Sequence, residues 1–363
     1  MVKHMNITIV GGGNIGTQFA VHCAAKGHRV IIYSSRPEQF LQHLIIFDEK
    51  EIIKCEGDIY KSTNNAAEAF TDADIIFVTV PAFCMKKISN EVYPYIKNGV
   101  KIGLIPGTGG GECAFKACLD KGAILFGLQR VPSVARLIEY GKSVRAIGYR
   151  KQLHVAALPS NEVLEIKEIL LDIFEIPCIA LPNYLTLTLT PSNPILHTTR
   201  LHSLFKDYCS GVTYDFVPLF YEDWDGETSK LLFACDDEVQ QLCITLNEFD
   251  LSYVRSLKIH YKSETPEQLT SKIRSIQGFK GIKTPMLFID GKYIPDLHSR
   301  YFVADFSYGL EILVQIANLL EIDTPYMRNI LDWYNTISLV KERFDYNTFG
   351  IVNKGDLLNF YGE

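Results

Sequence analysis

The glycines at positions 11, 13 and 16 have a spacing that suits dinucleotide binding. Gly11 permits a tight turn, Gly13 lets the backbone approach a pyrophosphate, and Gly16 allows a helix to pack closely on a strand. The start of the following helix, at Asn14 and Ile15, offers amide donors and positive potential to phosphate oxygens. Glycines cluster in turns of every kind, but an apolar strand before these and a helix after them favour the cofactor. We predict that these five residues bind a dinucleotide.

Three polar residues follow the second apolar segment, where an NAD enzyme usually places Asp or Glu on the ribose hydroxyls. The chain has Ser34, Ser35 and Arg36 there. Two hydroxyls and a guanidinium can donate to the additional phosphate of NADP, which an acidic side chain would repel. The alternative is that Arg36 is a solvated loop residue before Pro37. The pattern favours NADP and leaves NAD possible.

Val80 and Pro81 end another apolar segment, at the carboxyl edge where ligands bind in open α/β sheets. We predict that their backbone lines the cofactor crevice. The glycine-rich residues 106–111 follow the next such segment, and their glycines would allow either a close approach of ligand or a simple flexible turn.

His197 can act as a general acid and base, because an unperturbed imidazole titrates near neutral pH. Asn193 is a candidate N-cap and Pro194 fits the first helical position, so His197 falls near the opening turn of a helix. A lone histidine more often has a structural role, and the chain has nine. Spacing alone leaves both interpretations open.

The elements that position these residues alternate between strand and helix in the first half of the chain. Strand and helix patterns predict a βαβ unit and two further buried parallel strands, at residues 7–10, 17–26, 30–33, 73–80 and 100–106. The order predicts an α/β Rossmann-type doubly wound sheet.

After Pro182 the alternation ends, and apolar residues recur at helical spacing. The predicted helices lie at residues 201–208, 228–246, 306–320 and 326–339. We predict a Rossmann-like domain at residues 1–185 and an all-α C-terminal domain at residues 186–363.

Composition narrows the classes of function. The 363 residues are 47% apolar and 21% charged, which is typical of a folded protein, and the net charge of −6 comes with no basic stripe for nucleic acid. The sequence has neither the pattern of a signal peptide nor an apolar run of roughly 20 residues that could span a membrane. We therefore expect a cytoplasmic protein. The nine cysteines lack metal-ligand spacing, so no metal is expected. A homodimer is possible.

Two segments of the helical half carry a resemblance to a known family. They are residues 193–197 (NPILH) and residues 299–310 (SRYFVADFSYGL). Both resemble the opine dehydrogenase family, which includes octopine and nopaline dehydrogenases. The sequence departs from the family's pattern at Thr198 and Ala304, which leaves the substrate open.

The resemblance implies that a 2-oxo acid and the amine of an amino acid condense, and that NADPH reduces the resulting imine. His197 would be the general acid and base, and Asp305 would accept a hydrogen bond from its far ring nitrogen and stabilise its charged form, which a helix N-terminus disfavours. Arg300 would grip a substrate carboxylate, and Asn193 would contact substrate or nicotinamide.

Each of these roles has a structural alternative. Asp305 precedes a helical pattern and could cap that helix, Asn193 could be an N-cap only, and Arg300 could form a surface salt bridge. Arg136 is a weaker second candidate for anion binding.

Two other functions share most of these features. One is a ketopantoate-type reductase that acts on a 2-oxo acid without any amine. The other is a non-catalytic NADP-binding sensor. If NADPH oxidation depends strictly on an added amine, the chain is not a reductase of the first kind. If a His197→Ala variant loses turnover, the chain is not a non-catalytic sensor.

Overall fold

The computed structural model describes residues 4–191, 193–338 and 340–362 of the chain. The chain divides into two compact units. The first comprises Met1–Thr188 and Tyr361–Glu363, and the second comprises Leu189–Phe360. The division thus falls a few residues after the boundary predicted at 185, and the last residues return to the first unit.

The first unit is built from twelve strands and seven helices in its described residues. The strands are β1 Asn6–Val10, β2 Arg29–Tyr33, β3 His43–Phe47, β4 Ile53–Asp58, β5 Lys61–Thr63, β6 Ile75–Val78, β7 Lys101–Leu104, β8 Ile124–Leu128, β9 Val134–Glu139, β10 Ser143–Ile147, β11 Leu153–Leu158 and β12 Cys178–Ala180. The helices are α1 Asn14–Ala25, α2 Ala66–Phe70, α3 Met85–Val92, α4 Gly111–Ala114, α5 Lys116–Asp120, α6 Val163–Phe174 and α7 Leu185–Thr188.

Eight of these strands form one sheet in the order β12-β11-β8-β7-β6-β1-β2-β5. The six from β5 to β8 pair in parallel, and β11 joins β8 antiparallel. The strand order reverses between β1 and β6, which is where ligands bind in doubly wound sheets. The predicted Rossmann-type sheet is confirmed.

A second sheet, in the order β4-β3-β10-β9, was not expected from the sequence. It packs on α1, and a Cβ at Gly57 of β4 would lie 2.7 Å from the backbone nitrogen of Ala25. On its other side α1 buries Phe19, whose ring meets Phe77 at 5.2 Å and Phe174 at 4.7 Å between centroids. Helix α1 is therefore enclosed by apolar and backbone contacts, which fixes the glycine loop at its N-terminus.

The second unit is mainly helical, as predicted. Its helices are α8 Asn193–Phe205, α9 Gly226–Thr245, α10 Leu257–Tyr261, α11 Pro266–Ser275, α12 Arg300–Val303, α13 Glu311–Leu319, α14 Pro325–Ile337 and α15 Lys354–Tyr361. The helix predicted at 306–320 opens with a π-helical turn, Phe306–Leu310. The predicted end of the helix at residue 339 lies outside the described residues. Within the described ranges no helix combines the length and apolar character needed to cross a membrane.

The helical unit also contains a β-hairpin, formed by β13 Met286–Ile289 and β14 Lys292–Pro295. Asp290 and Gly291 connect the strands with φ angles of 51° and 79°. Positive φ at both central residues matches the right-handed twist of the strands, which is why Asp-Gly favours this turn.

The C-terminal residues return to the first unit through a buried carboxyl group. The hydroxyls of Thr188 and Tyr361 each donate to Oε1 of Glu112 at 2.7 Å. Glu112 is fully buried, and this burial raises the pKa of its carboxyl group. The two hydroxyls therefore compensate part of the cost of burying Glu112.

Candidate active site

The glycine loop joins β1 to α1 at the carboxyl edge of the large sheet. Gly11 has a φ of 98°, which favours glycine, and a Cβ at Gly16 would lie 1.8 Å from the carbonyl oxygen of Gly11. A Cβ at Gly13 would meet nothing within 4 Å, so the backbone there is bare. The loop therefore fits the phosphates of a dinucleotide.

The first turn of α1 keeps its backbone amides for such a ligand. Gly13 is the N-cap residue, and the turn has neither a side-chain cap nor an acidic residue. Its unpaired amides and the helix dipole favour an anion. The side chain of Asn14 accepts a hydrogen bond from the backbone of Leu137 at 2.7 Å, so Asn14 and Ile15 offer their main chain.

The residues after β2 contact a tyrosine that the sequence analysis did not identify. Tyr140 and Ser34 are joined by a hydroxyl hydrogen bond of 3.1 Å, and the Arg36 guanidinium lies 4.2 Å from the Tyr140 ring centroid. Ser35 is exposed. Arg36 is thus held by a stacking contact, although its side chain remains exposed.

Val80 and Pro81 follow β6, beside the glycine loop. A Cβ at Gly11 would lie 3.0 Å from Cγ1 of Val80, and Pro81 is exposed. The structure therefore brings Val80 next to the predicted phosphate loop. Contact of either residue with a cofactor stays a prediction.

In the second unit, the predicted hydrogen bond between His197 and Asp305 is present. Nδ1 of His197 lies 2.7 Å from Oδ2 of Asp305, and both residues are buried. Asp305 makes no capping hydrogen bond with its side chain, so the capping alternative does not account for it. Because a carboxylate only accepts, Nδ1 carries the imidazole proton.

The other ring nitrogen of His197 contacts Tyr221. Nε2 lies 2.8 Å from the Tyr221 hydroxyl oxygen. Since Nδ1 is protonated, Nε2 holds the lone pair and the hydroxyl donates to it. The rings of Tyr301 and Phe220 lie 4.5 Å and 5.4 Å from the imidazole between centroids. The imidazole is therefore fixed in both tautomer and orientation.

Arg300 begins α12, next to the tyrosine that packs on His197. Its side chain is exposed, and its guanidinium carbon lies 5.9 Å from the Tyr301 ring centroid. Among the described residues, no carboxylate lies within ion-pair distance of Arg300. The salt-bridge alternative therefore has no support, and the guanidinium is available for an anion.

Asn193 and Arg136 lie in different units. Asn193 is the first residue of α8, one turn before His197, so the helix begins one residue earlier than predicted and Pro194 is its second residue. Arg136 lies on β9 of the first unit, where its guanidinium donates to the carbonyl oxygen of Ala135 at 2.9 Å. Substrate contact by either residue stays a prediction.

Both halves of the chain are similar to known proteins. The family model for the alpha-helical domain of NAD/NADP octopine/nopaline dehydrogenase matches residues 180–338, and that for the N-terminus of NAD-dependent glycerol-3-phosphate dehydrogenase matches residues 6–107. Opine dehydrogenase of Haliotis discus hannai is 25% identical over 92% of this chain and 90% of its own length. Tauropine dehydrogenase of Arabella iricolor is 25% identical over 90% of each chain. The chain is therefore similar to the opine dehydrogenase family over its helical half and, at 25% identity, over most of its length.

This chain is an NAD(P)-dependent dehydrogenase acting on CH–NH groups. A solved octopine dehydrogenase in complex with NADH and L-arginine has the same fold, with a TM-score of 0.84 over 99% of this chain and 98% of that one, at 19% identity.

Sequence reasoning missed one buried cation on the helix that carries His197. Arg200 lies one turn after His197 on α8 and is fully buried. Its guanidinium donates to the carbonyl oxygens of Phe220 at 2.9 Å and Asp223 at 2.8 Å, and to Oδ2 of Asp225 at 3.2 Å. No motif marks Arg200, and only the spatial approach of residues 219–225 reveals its contacts.

Proposed function

We propose that this enzyme condenses a 2-oxo acid with the amine of an amino acid and reduces the imine, with NADPH as the preferred cofactor. The observation that carries the proposal is the buried hydrogen bond between His197 and Asp305 in a chain that also has a dinucleotide loop. Solved octopine dehydrogenases contain NADH with L-arginine and NADH with pyruvate, which supports these two substrate classes.

His197 would move protons during condensation. In its neutral form the imidazole accepts a proton from the amine, and in its charged form it protonates the oxygen that leaves as water. Asp305 keeps the proton on Nδ1 and stabilises the imidazolium, as expected of a carboxylate paired with an acid–base histidine. When bound, the nicotinamide cofactor supplies the hydride that reduces the imine.

Arg300 would bind the carboxylate of the oxo acid. A guanidinium can hold a carboxylate with two parallel hydrogen bonds, which fixes the orientation of the adjoining oxo carbon. Its guanidinium lies beside Tyr301 and forms no ion pair with a carboxylate of the described residues, which supports this role. Asn193, one turn before His197, would donate to the same substrate.

The preference for NADPH rests on Ser34, Ser35 and Arg36. The stacking of Arg36 on Tyr140 holds a guanidinium after β2, where the 2′-phosphate of NADP binds in this fold. A solved yersinopine dehydrogenase contains NADP+, so the phosphate is compatible with this architecture.

The first test is the dependence of NADPH oxidation on two substrates. We expect oxidation when a 2-oxo acid and an amino acid are both present, and none with either alone. His197→Ala should lower kcat about 100- to 10,000-fold, because it removes the acid–base group. His202→Ala on the same helix is the matched control. Oxidation with the oxo acid alone, or full activity of His197→Ala, would contradict the proposal.

A further inference from the structure

Both nitrogens of the His197 imidazole are already engaged. Nδ1 donates to Asp305 at 2.7 Å, and Nε2 accepts from the Tyr221 hydroxyl at 2.8 Å. An imidazole has no third position for a proton. A proton can therefore reach or leave Nε2 only through the Tyr221 oxygen, unless Tyr221 moves aside.

The hydroxyl group of Tyr221 is protonated and held in a fixed orientation, as a proton relay requires. It is buried, and burial raises the pKa of its hydroxyl group, with a further contribution from nearby Tyr301. The hydroxyl therefore stays protonated near neutral pH. The ring stacks on Phe279 with 4.0 Å between centroids, which fixes the direction of its C–O bond.

The segment that carries Tyr221 is held by Arg200. The guanidinium donates to the carbonyl of Phe220, just before Tyr221, and to that of Asp223, two residues after it. Burying an arginine is costly unless its donors are satisfied. Here those donors fix the backbone on both sides of the tyrosine, so one helix carries both the imidazole and the support for its partner.

We propose that the Tyr221 hydroxyl relays protons between His197 and the substrate, and that Arg200 is a positioning residue for Tyr221. This relay rests on the proposed acid–base role of His197. As an acid, the Tyr221 O–H gives its proton to the substrate oxygen while the imidazolium Nε2–H gives its proton to the Tyr221 oxygen. As a base, both transfers reverse, so Tyr221 ends each transfer neutral.

Tyr221→Phe tests the relay, because it keeps the ring that stacks on Phe279 and removes only the hydroxyl. We expect its single-turnover rate to fall about 10- to 100-fold with little change in the KM of either substrate. In mixtures of H2O and D2O the wild-type rate should fall along a curve, since two protons move together. A variant rate within twofold of wild type, or a linear wild-type dependence, would overturn the relay.

The same measurements separate this proposal from the one before it. An inactive His197→Ala with a fully active Tyr221→Phe would remove the relay and leave the acid–base role of His197 intact. A fully active His197→Ala would instead remove that role. The relay can be measured with any substrate pair that the enzyme accepts.

Arg200→Lys tests positioning, because lysine lacks the fork that reaches two carbonyls. We expect it to lower the wild-type rate and to have little further effect in the Tyr221→Phe background. The milder Asp225→Asn, which keeps Oδ1 for Thr228, gives the same comparison if Arg200→Lys does not fold. An equal loss in both backgrounds would show that Arg200 does not act through Tyr221.

Discussion

His197 obtains its chemistry from residues that are distant in sequence. Its Nδ1 donates to the carboxylate of Asp305, which lies 108 residues further along the chain. The hydroxyl of Tyr221 then determines how a proton leaves the ring. The imidazole therefore works as one member of a hydrogen-bonded chain of three side chains.

Arg36 is expected to decide between the two cofactors. Arg36→Ala should weaken NADPH binding about 10- to 100-fold and leave NADH binding nearly unchanged, because only NADPH carries the additional phosphate. Quenching of protein fluorescence measures both affinities. Arg29→Ala is the matched control, since Arg29 also stacks on a tyrosine, Tyr60, at the other end of β2. Equal losses for NADPH and NADH would contradict this role.

Residues that act through local spacing could be predicted from the sequence, whereas residues that act through tertiary approach could be predicted only where a family resemblance marked them, as it did for Asp305. The glycine loop is recognisable from a stretch of six residues, and the segment around His197 is similar to a family motif. Tyr140 meets Ser34 from 106 residues away, and Tyr221 meets His197 across a loop without periodic pattern. No local signal distinguishes such a tyrosine from a core residue.

At the scale of elements, the π-helical turn after Asp305 is the main departure from the predicted helices. The amide of Leu310 donates to the carbonyl of Asp305 at 2.8 Å, which widens the turn by one residue. Gly309 lies within this turn against Pro194 of α8. Apolar periodicity predicted a helix here, but it could not show the close contact between two helices that accompanies the wider turn.

Gly309→Ala should disturb this contact. Its Cβ would lie 2.9 Å from Cγ of Pro194, whose rigid ring cannot move without α8. We expect a loss of about 1 to 3 kcal/mol in the free energy of unfolding. Because α8 carries His197, kcat should also fall about 10- to 100-fold. Gly226→Ala, which meets nothing within 4 Å, is the control. Equal behaviour of the two variants would show that the contact is unimportant.

The two β elements that the sequence analysis missed differ in how visible they were. The hairpin had a recognisable signal, Asp290-Gly291 between apolar residues, within a region assigned to helices. The small sheet had none, because β3 pairs with β10 from a distant part of the chain.

At the scale of the whole molecule, Asp236 makes stability depend on pH. It is fully buried, and burial raises the pKa of its carboxyl group to about 7. Between the unfolded pKa of about 4 and the folded pKa, the folded chain holds a proton that the unfolded chain has released. The resulting stabilisation is complete below about pH 4 and is lost as pH rises through the folded value.

Asp236→Asn should remove this dependence, since its amide oxygen can still accept from the backbone of Leu257. Between pH 5 and pH 8 the wild type should lose about 2 kcal/mol of unfolding free energy relative to the variant. Urea unfolding at both pH values measures this difference. Asp332→Asn, at an exposed carboxylate of α14, is the control and should lose the same unfolding free energy between these pH values as the wild type. A constant gap between wild type and Asp236→Asn would contradict the shifted titration.

The hydrogen bond between Tyr361 and Glu112 limits how chimaeras of related chains can be built. The helical unit is an insertion into the first unit, joined to it by two covalent crossings, after Thr188 and before Tyr361. A chimaera made with a single crossover near residue 188 would combine one parent's Glu112 with the other parent's Tyr361 position. Exchange of helical units between relatives therefore needs two junctions, or parents that agree at both positions.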